Sequence, residues 1–177
     1  MNMNIINFIE EIYGKDIPIS FIKGVWDWQD KKSFQEELNE NGSLFINILN
    51  ENISSLYKYI IEGTFYKGLT CSPDELVNVE NTSYTLSKYM AIDFADCEQN
   101  GSGIVIEKKG FGYSLNKIIK DIIEWVYENK EFSFEKLNIS GIDIFDEYIN
   151  EEEIISSLEV EKLNIINICD LYYERSK

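Results

Sequence analysis

Two acidic residues near the C-terminal end of the chain have the type and spacing needed for carboxylate-assisted bond cleavage. Glu151 and Glu153 stand two positions apart, directly before the apolar pair Ile154 and Ile155. Because side chains alternate along a strand, both carboxylates would lie on one face of a strand that begins here. A carboxylate in such a place can stabilise the sugar cation that forms when a glycosidic bond breaks. The alternative is an acidic loop that enters a strand.

Two earlier segments carry further polar groups at the ends of β-rich runs. Ser83 and Thr85 would share one face of a strand over Thr82–Leu86. This strand leads into a helix over Lys88–Ala95, for which Ser87 is the predicted N-cap. The run Thr64–Leu69 contains Lys67, whose positive charge could meet a phosphate or could simply mark the surface end of a strand.

In this order the three segments resemble the mono-ADP-ribosyltransferase family. That family places a basic residue on one strand, a Ser/Thr-rich strand before a helix, and a Glu-x-Glu strand last. The resemblance implies that Glu153 is the catalytic carboxylate and that Glu151 helps to deprotonate the accepting group. It also implies that Ser83 holds Glu153 by a hydrogen bond.

The resemblance further assigns NAD binding to Lys67, Gly68, Ser83 and Thr85. The family has Arg where this chain has Lys67, and a lysine lacks the planar fork that binds phosphate in a bidentate manner. Two aromatic residues just before the glutamates, Phe145 and Tyr148, would recognise the target protein. The implied activity is transfer of ADP-ribose from NAD, the co-substrate, to a host or target protein, in an enzyme of phage or toxin type.

Composition narrows the chemistry. The 177 residues include no histidine, which excludes Ser-His-Asp and Cys-His catalysis within this chain. Cys71, Cys97 and Cys169 are odd in number and widely spaced, which argues against a disulfide framework and against a structural zinc site. We therefore expect no metal cofactor.

The charge balance bears on partners. The chain has 16 basic and 32 acidic residues, a net charge of −16. Direct binding to nucleic acid is not expected, because it needs clustered lysine and arginine. No apolar run reaches the roughly 18 residues of a membrane span, and the N-terminus lacks a basic signal region, so we expect a cytoplasmic protein without a membrane partner. No pattern in the sequence indicates an oligomeric state.

The element pattern predicts an α+β fold in a single domain, residues 1–177. Residues 1–62 form a helical N-terminal part, interrupted at Pro18, at Gly24–Trp28 and at Gly42–Ser43, with Gly63 as the last helix C-cap. Residues 63–177 form a strand-rich, NAD-binding-like core. We expect a small mixed or antiparallel sheet, which the family resemblance makes a two-sheet core of the ADP-ribosyltransferase type.

Within that core, helices are predicted at Ser72–Glu75, by a capping box, and after Ser114. Further strands are predicted at Gly103–Glu107, Glu152–Ser157 and Leu163–Leu171, with a turn at Lys108–Gly110.

Two other interpretations stay open. The first is an acidic, non-enzymatic inhibitor of the immunity or anti-defence class, which would cover a basic partner by charge complementarity through residues such as Trp26, Asp27, Trp28 and Asp30. The alternative for the Trp26–Trp28 segment is a loop that apolar residues anchor to the core. The second interpretation is a catalytically inactive member of the same fold that only binds.

Overall fold

The computed structural model describes residues 3–31, 37–96, 103–129, 132–137 and 152–168. These residues fall into two compact units. A helical unit is drawn from 1–59 and 116–149, and a strand-rich unit from 60–115 and 150–177. The α+β class is therefore confirmed. The chain first passes from the helical unit to the strand-rich unit between residues 59 and 60, close to the boundary predicted between residues 62 and 63. That the two units form one domain stays a prediction.

The described residues contain five α-helices and five β-strands. In chain order they are α1 (Ile5–Tyr13), α2 (Ile17–Lys31), α3 (Glu40–Glu51), β1 (Ile60–Leu69), β2 (Val79–Thr85), α4 (Lys88–Ala95), β3 (Ile104–Ser114), α5 (Leu115–Glu128), β4 (Glu153–Leu158) and β5 (Asn164–Asn167). Short 3-10 helices occupy Tyr57–Tyr59, Pro73–Glu75 and Val160–Lys162.

Helix α2 runs through both positions at which the sequence predicts a break. Pro18 lies in its first turn, where the missing N–H has no helical partner to lose. Gly24 lies against α3: a Cβ there would come within 2.7 Å of the Phe45 Cβ, and closer still to the carbonyl oxygen of Asn41. The glycine therefore permits close helix packing, and the predicted interruption at Gly24–Trp28 is wrong.

The predicted break at Gly42–Ser43 is also wrong, because α3 begins at Glu40. Asn39 is its N-cap, and its side-chain oxygen accepts from the amides of Asn41 (2.8 Å) and Gly42 (3.1 Å). The buried carboxylate of Asp27 in turn accepts from the Asn39 amide (2.8 Å) and side chain (2.6 Å). Asp27 thus stabilises a helix start, although the inhibitor interpretation places it on an exposed surface.

The predicted helix end at Gly63 is wrong as well. Helix α3 ends at Glu51, and Ile60 already begins β1. The spacing of the apolar residues in this segment is compatible with a helix or with a strand. In the structure the segment is a strand, which pairs with β3 at ten consecutive positions.

One carboxylate of α5, Asp121, joins three parts of the helical unit. It accepts hydrogen bonds from the Ile5 amide at the start of α1 (2.9 Å) and from the Tyr59 hydroxyl, and it pairs with Lys58 (3.3 Å). Its own backbone carbonyl accepts from Asn4 (2.8 Å). Burial, followed by the bond to Asp121, raises the pKa of Tyr59 well above its usual value. The hydroxyl therefore remains a donor to Asp121.

The described strands form one antiparallel sheet. β1 pairs with β3 over ten positions, from Ile60 opposite Tyr113 to Leu69 opposite Ile104. Neighbouring strands pair in the order β1-β2-β4-β3, and the pairing of β3 with β1 closes these four strands into a ring. β5 pairs with β3 and is not part of the ring. The resemblance implies two sheets. Here β3 is long enough to contact β1, β4 and β5, which joins all the described strands into one sheet.

The predicted turn at Lys108–Gly110 is wrong, because β3 continues through it to Ser114. The strands predicted at Thr64–Leu69, Thr82–Leu86 and Glu152–Ser157 are confirmed within a few residues. The closing strand is confirmed at Asn164–Asn167, and residues after 168 lie outside the described part. Inside the ring, the apolar side chains Phe65, Tyr84, Ile106, Ile154 and Leu158 form the core.

We predict that Asp121→Ala lowers the free energy of unfolding by about 2–4 kcal/mol, because the Tyr59 hydroxyl and the Ile5 amide both lose their acceptor. Urea denaturation followed by circular dichroism measures this. The matched control is Glu128→Ala, an exposed acid on the same helix, which should change the value by no more than about 0.5 kcal/mol. Equal effects of the two substitutions would contradict the role of Asp121.

Candidate functional site

Thr85 links the strands that carry the predicted site. In the sheet it lies opposite Tyr66 of β1 on one side and opposite Glu153 of β4 on the other. Residues directly opposite one another in antiparallel strands share a face. The outer face of the ring at this point therefore carries Tyr66, Thr85 and Glu153 in one row across three strands.

Glu153 is the first residue of β4 and is only 3% exposed. The preceding Glu152 is exposed and has a φ of 47°, in the left-handed region that non-glycine residues seldom adopt. This conformation produces a turn directly before the strand, and Glu153 enters the sheet as the exposed chain becomes buried. Burial of a carboxylate is costly, so its place here needs a reason.

The hydroxyl of Thr85 connects this row to the start of α4. Its Oγ1 accepts from the Ser87 amide (3.0 Å), and the Ser87 Oγ accepts from the Met90 amide (3.3 Å). The predicted N-cap at Ser87 is therefore confirmed. Ser83 lies on the same face two residues earlier, opposite Ile155. Thr85, and not Ser83, is directly opposite Glu153.

Lys67 contacts β2 from the inner face of the sheet. Its side chain is on the opposite face of β1 from Tyr66. Lys67 pairs with Ile106 of β3 and shares the inner face of β1 with Phe65. Its Nζ donates to the backbone carbonyl of Ser83 at 3.1 Å. The structure thus brings Lys67 to β2, while Thr85 and Glu153 share the outer face.

Gly68 has a packing function that the sequence did not indicate. A Cβ there would lie 2.7 Å from the Ala95 amide nitrogen, and closer still to the carbonyl oxygen of Ala91. Helix α4 therefore lies directly on β1, through Ala91 and Ala95. Phe94 is 53% exposed, because the contact with β1 uses the neighbouring face of the helix.

A second polar cluster was missed by the sequence analysis. Lys108, on the inner face of β3, donates to the Ser156 Oγ (2.8 Å) and to the Ser157 carbonyl (2.6 Å) and Oγ (3.0 Å) of β4. Burial lowers the pKa of Lys108, and the nearby Glu159 opposes that shift. The alternation of Ile104, Ile106 and Lys108 would have indicated a continuing strand.

Three of the predicted site residues, Glu151, Phe145 and Tyr148, lie outside the described residues, and their roles stay predictions. In the helical unit, a groove of about 250 Å³ is lined by residues that include Lys23, Trp26 and Asp30. The described ranges contain no group of three or more acidic or cysteine side chains placed to hold a metal ion. Among the helices of those ranges, none is both long and apolar enough to span a membrane.

Comparisons with protein-family models, with curated proteins and with solved structures find no match to this chain.

We predict that Gly68→Ala lowers the free energy of unfolding by about 2 kcal/mol, because the added methyl group would overlap the backbone of α4. Gly63→Ala, in the same strand, is the matched control: its nearest neighbour would be a ring carbon of Phe65 at 3.6 Å. Thermal and urea unfolding measure both variants. A Gly68→Ala protein as stable as Gly63→Ala would contradict the packing function.

The tyrosines of the strand-rich unit predict a loss of stability in alkaline solution. Burial raises the pKa of Tyr113 to about 12, whereas an unfolded tyrosine ionises near about 10. Above about pH 10 the unfolded chain loses this proton first, so stability falls as the pH rises towards about 12. Urea unfolding across this range should show a shallower decline for Tyr113→Phe than for the wild type. Identical slopes for the two proteins would contradict the attribution of this loss of stability to Tyr113.

Proposed function

We propose that this protein is an NAD-dependent mono-ADP-ribosyltransferase that modifies a protein, with Glu153 as its catalytic carboxylate. The observation that carries the proposal is the row Tyr66, Thr85 and Glu153 on adjacent strands. Three segments far apart in the sequence, which resemble the family by their order, are neighbours in one sheet. The row supports the proposal because it brings Thr85 of the Ser/Thr-rich strand directly opposite Glu153 of the Glu-x-Glu strand.

The burial of Glu153 supports a chemical role. At 3% exposure the carboxylate is shielded from water, and its charge acts more strongly on a neighbouring cation. In the proposed reaction the bond between nicotinamide and ribose C1′ breaks, and its electron pair leaves with nicotinamide. Positive charge develops on the ribose ring, and Glu153 would stabilise it.

The accepting side chain would then form a bond to C1′ with its lone pair and release a proton to a nearby carboxylate. By the family resemblance this second carboxylate is Glu151. Ser83 and Thr85 line the same face of β2 and would orient the ribose or Glu153 itself. By the resemblance Lys67 and Gly68 would contact the phosphates, although Lys67 lies on the inner face of β1 and Gly68 lies against α4.

Phage or toxin enzymes of this class act on a host protein, and we propose such a target here. A net charge of −16 favours a target with a basic surface. Phe145 and Tyr148 precede the glutamates and are the proposed contacts to that target.

One observation favours a second candidate, a binding protein that keeps the fold without turnover. Lys67 replaces the arginine of the family, and its amino group donates to the Ser83 carbonyl within the sheet. A lysine held in this way stabilises the sheet, and its single ammonium group cannot form the bidentate contact of a guanidinium. This candidate would act through the acidic surface.

The deciding experiment incubates the purified protein with labelled NAD, with and without a lysate of a candidate host, and measures nicotinamide release and label transfer. We expect release by the wild type and a loss of about a hundredfold or more in Glu153→Gln, because the substitution removes the charge that stabilises the transition state.

Glu152→Gln is the matched control. It removes the same charge one residue away, on an exposed side chain, and should leave nicotinamide release within about twofold of the wild-type rate. A wild-type protein that neither binds nor turns over NAD would overturn the enzyme proposal and favour the binding protein. Equal rates in the two variants would remove Glu153 from the mechanism.

A further inference from the structure

The two halves of β4 are held in different ways. In its first half, Ile154 and Ile155 pair with Ser114 and Tyr113 of β3, and backbone pairing with β2 holds the other side. In its second half the pairing with β2 shifts in register, between Val79 and Thr82. In this second half, hydrogen bonds that involve side chains connect β4 to β3.

Lys108 is the centre of that connection. Its Nζ donates to the Ser157 carbonyl at 2.6 Å, the Ser156 Oγ at 2.8 Å and the Ser157 Oγ at 3.0 Å. These three acceptors match the three donors of an ammonium group. Ser156 also donates to the Phe111 carbonyl of β3 at 2.7 Å, and the Tyr84 hydroxyl of β2 donates to the Ser157 carbonyl at 3.0 Å. Bonds from both neighbouring strands therefore meet at Ser157.

The charges around Lys108 suit a fixed cation. Its Nζ lies 5.7 Å from the centre of the Tyr84 ring, an attractive arrangement. Glu159, which accepts from the Ser157 Oγ at 3.2 Å and pairs with Lys162, lies beyond the cluster. Lys67 is on the same face of the sheet, two positions along the ladder.

The register of β4 decides where Glu153 points. Because side chains alternate along a strand, a slip of one residue would move Glu153 from the outer face, opposite Thr85, to the inner face. We propose that Lys108 is the positioning residue that holds β4 in the register that places Glu153 opposite Thr85. Its catalytic consequence rests on the function proposed above, whereas the structural claim can be tested without it.

The test compares Lys108→Met, which keeps the length of the side chain but removes its donors, with Lys108→Arg, which keeps charge and donors. Lys109→Met is the control, since Lys109 is exposed and projects from the opposite face of β3. For each full-length protein, amide hydrogen exchange is measured in β4 and in β1, and kcat and KM for NAD are measured by nicotinamide release.

In Lys108→Met we expect exchange in β4 to accelerate by about tenfold or more, the effect of losing a hydrogen bond, while β1 stays protected. We also expect kcat to fall by about tenfold or more with KM for NAD within about twofold, because a displaced Glu153 affects the transition state more than binding. Lys108→Arg should keep β4 exchange and kcat near the wild-type values, and Lys109→Met should match the wild type.

The proposal is overturned if Lys108→Met matches Lys109→Met in β4 exchange. It is also overturned if exchange rises equally in β1 and β4, or if Lys108→Arg, as a folded protein, fails to restore β4, because Lys108 would then have only a general structural role. If the wild type releases no nicotinamide, the enzyme proposal fails, and the exchange measurement alone decides the function of Lys108. Normal kcat with a loosened β4 would refute the link to Glu153.

Discussion

The ten-position ladder between β1 and β3 is the constraint on which the strand-rich unit depends. It fixes which side chains of β1 face the interior, and it closes the ring of β1, β2, β4 and β3. Once Phe65 and Ile106 face inward, Tyr66 must face outward with the residues opposite it, Thr85 and then Glu153. The row Tyr66, Thr85 and Glu153 is thus a consequence of strand register.

Helix α4 shows how packing and the proposed chemistry share the same residues. The helix lies directly on the sheet because Gly68 and Gly103 have no side chain at the points where Ala91 and Ala95 approach. Its first turn is held by Ser87, which is joined to Thr85 of the candidate row. A glycine that a family motif would assign to NAD therefore has a sufficient structural reason to be present.

Local signals in the sequence were sufficient where the stabilising contact is itself local. The N-cap at Ser87, the capping box at Ser72 and Glu75, and the start of the helix after Ser114 are all confirmed. The failures at Gly24, Gly42 and Gly63 have one cause: distant residues, such as Asn41 for Gly24 and the strand β3 for Gly63, determine what each glycine does. The strands that carry the site segments were predictable from the sequence. The position of Thr85 opposite Glu153 and the contacts of Lys108 were not, because they depend on pairing between strands that are distant in the sequence.

Glu153 differs from most other acids of the described ranges in its burial. Of the aspartate and glutamate side chains in the described ranges, Asp27 and Glu153 are the two that are buried. Asp27 is explained by the helix start that it stabilises through Asn39. Glu153 is buried at the first position of β4, whereas most other acids of the described ranges are exposed. The strand register places Glu153 opposite Thr85 on the outer face of the sheet, and the proposed chemistry is located at that position beside the hydroxyl side chains of Thr85 and Tyr66.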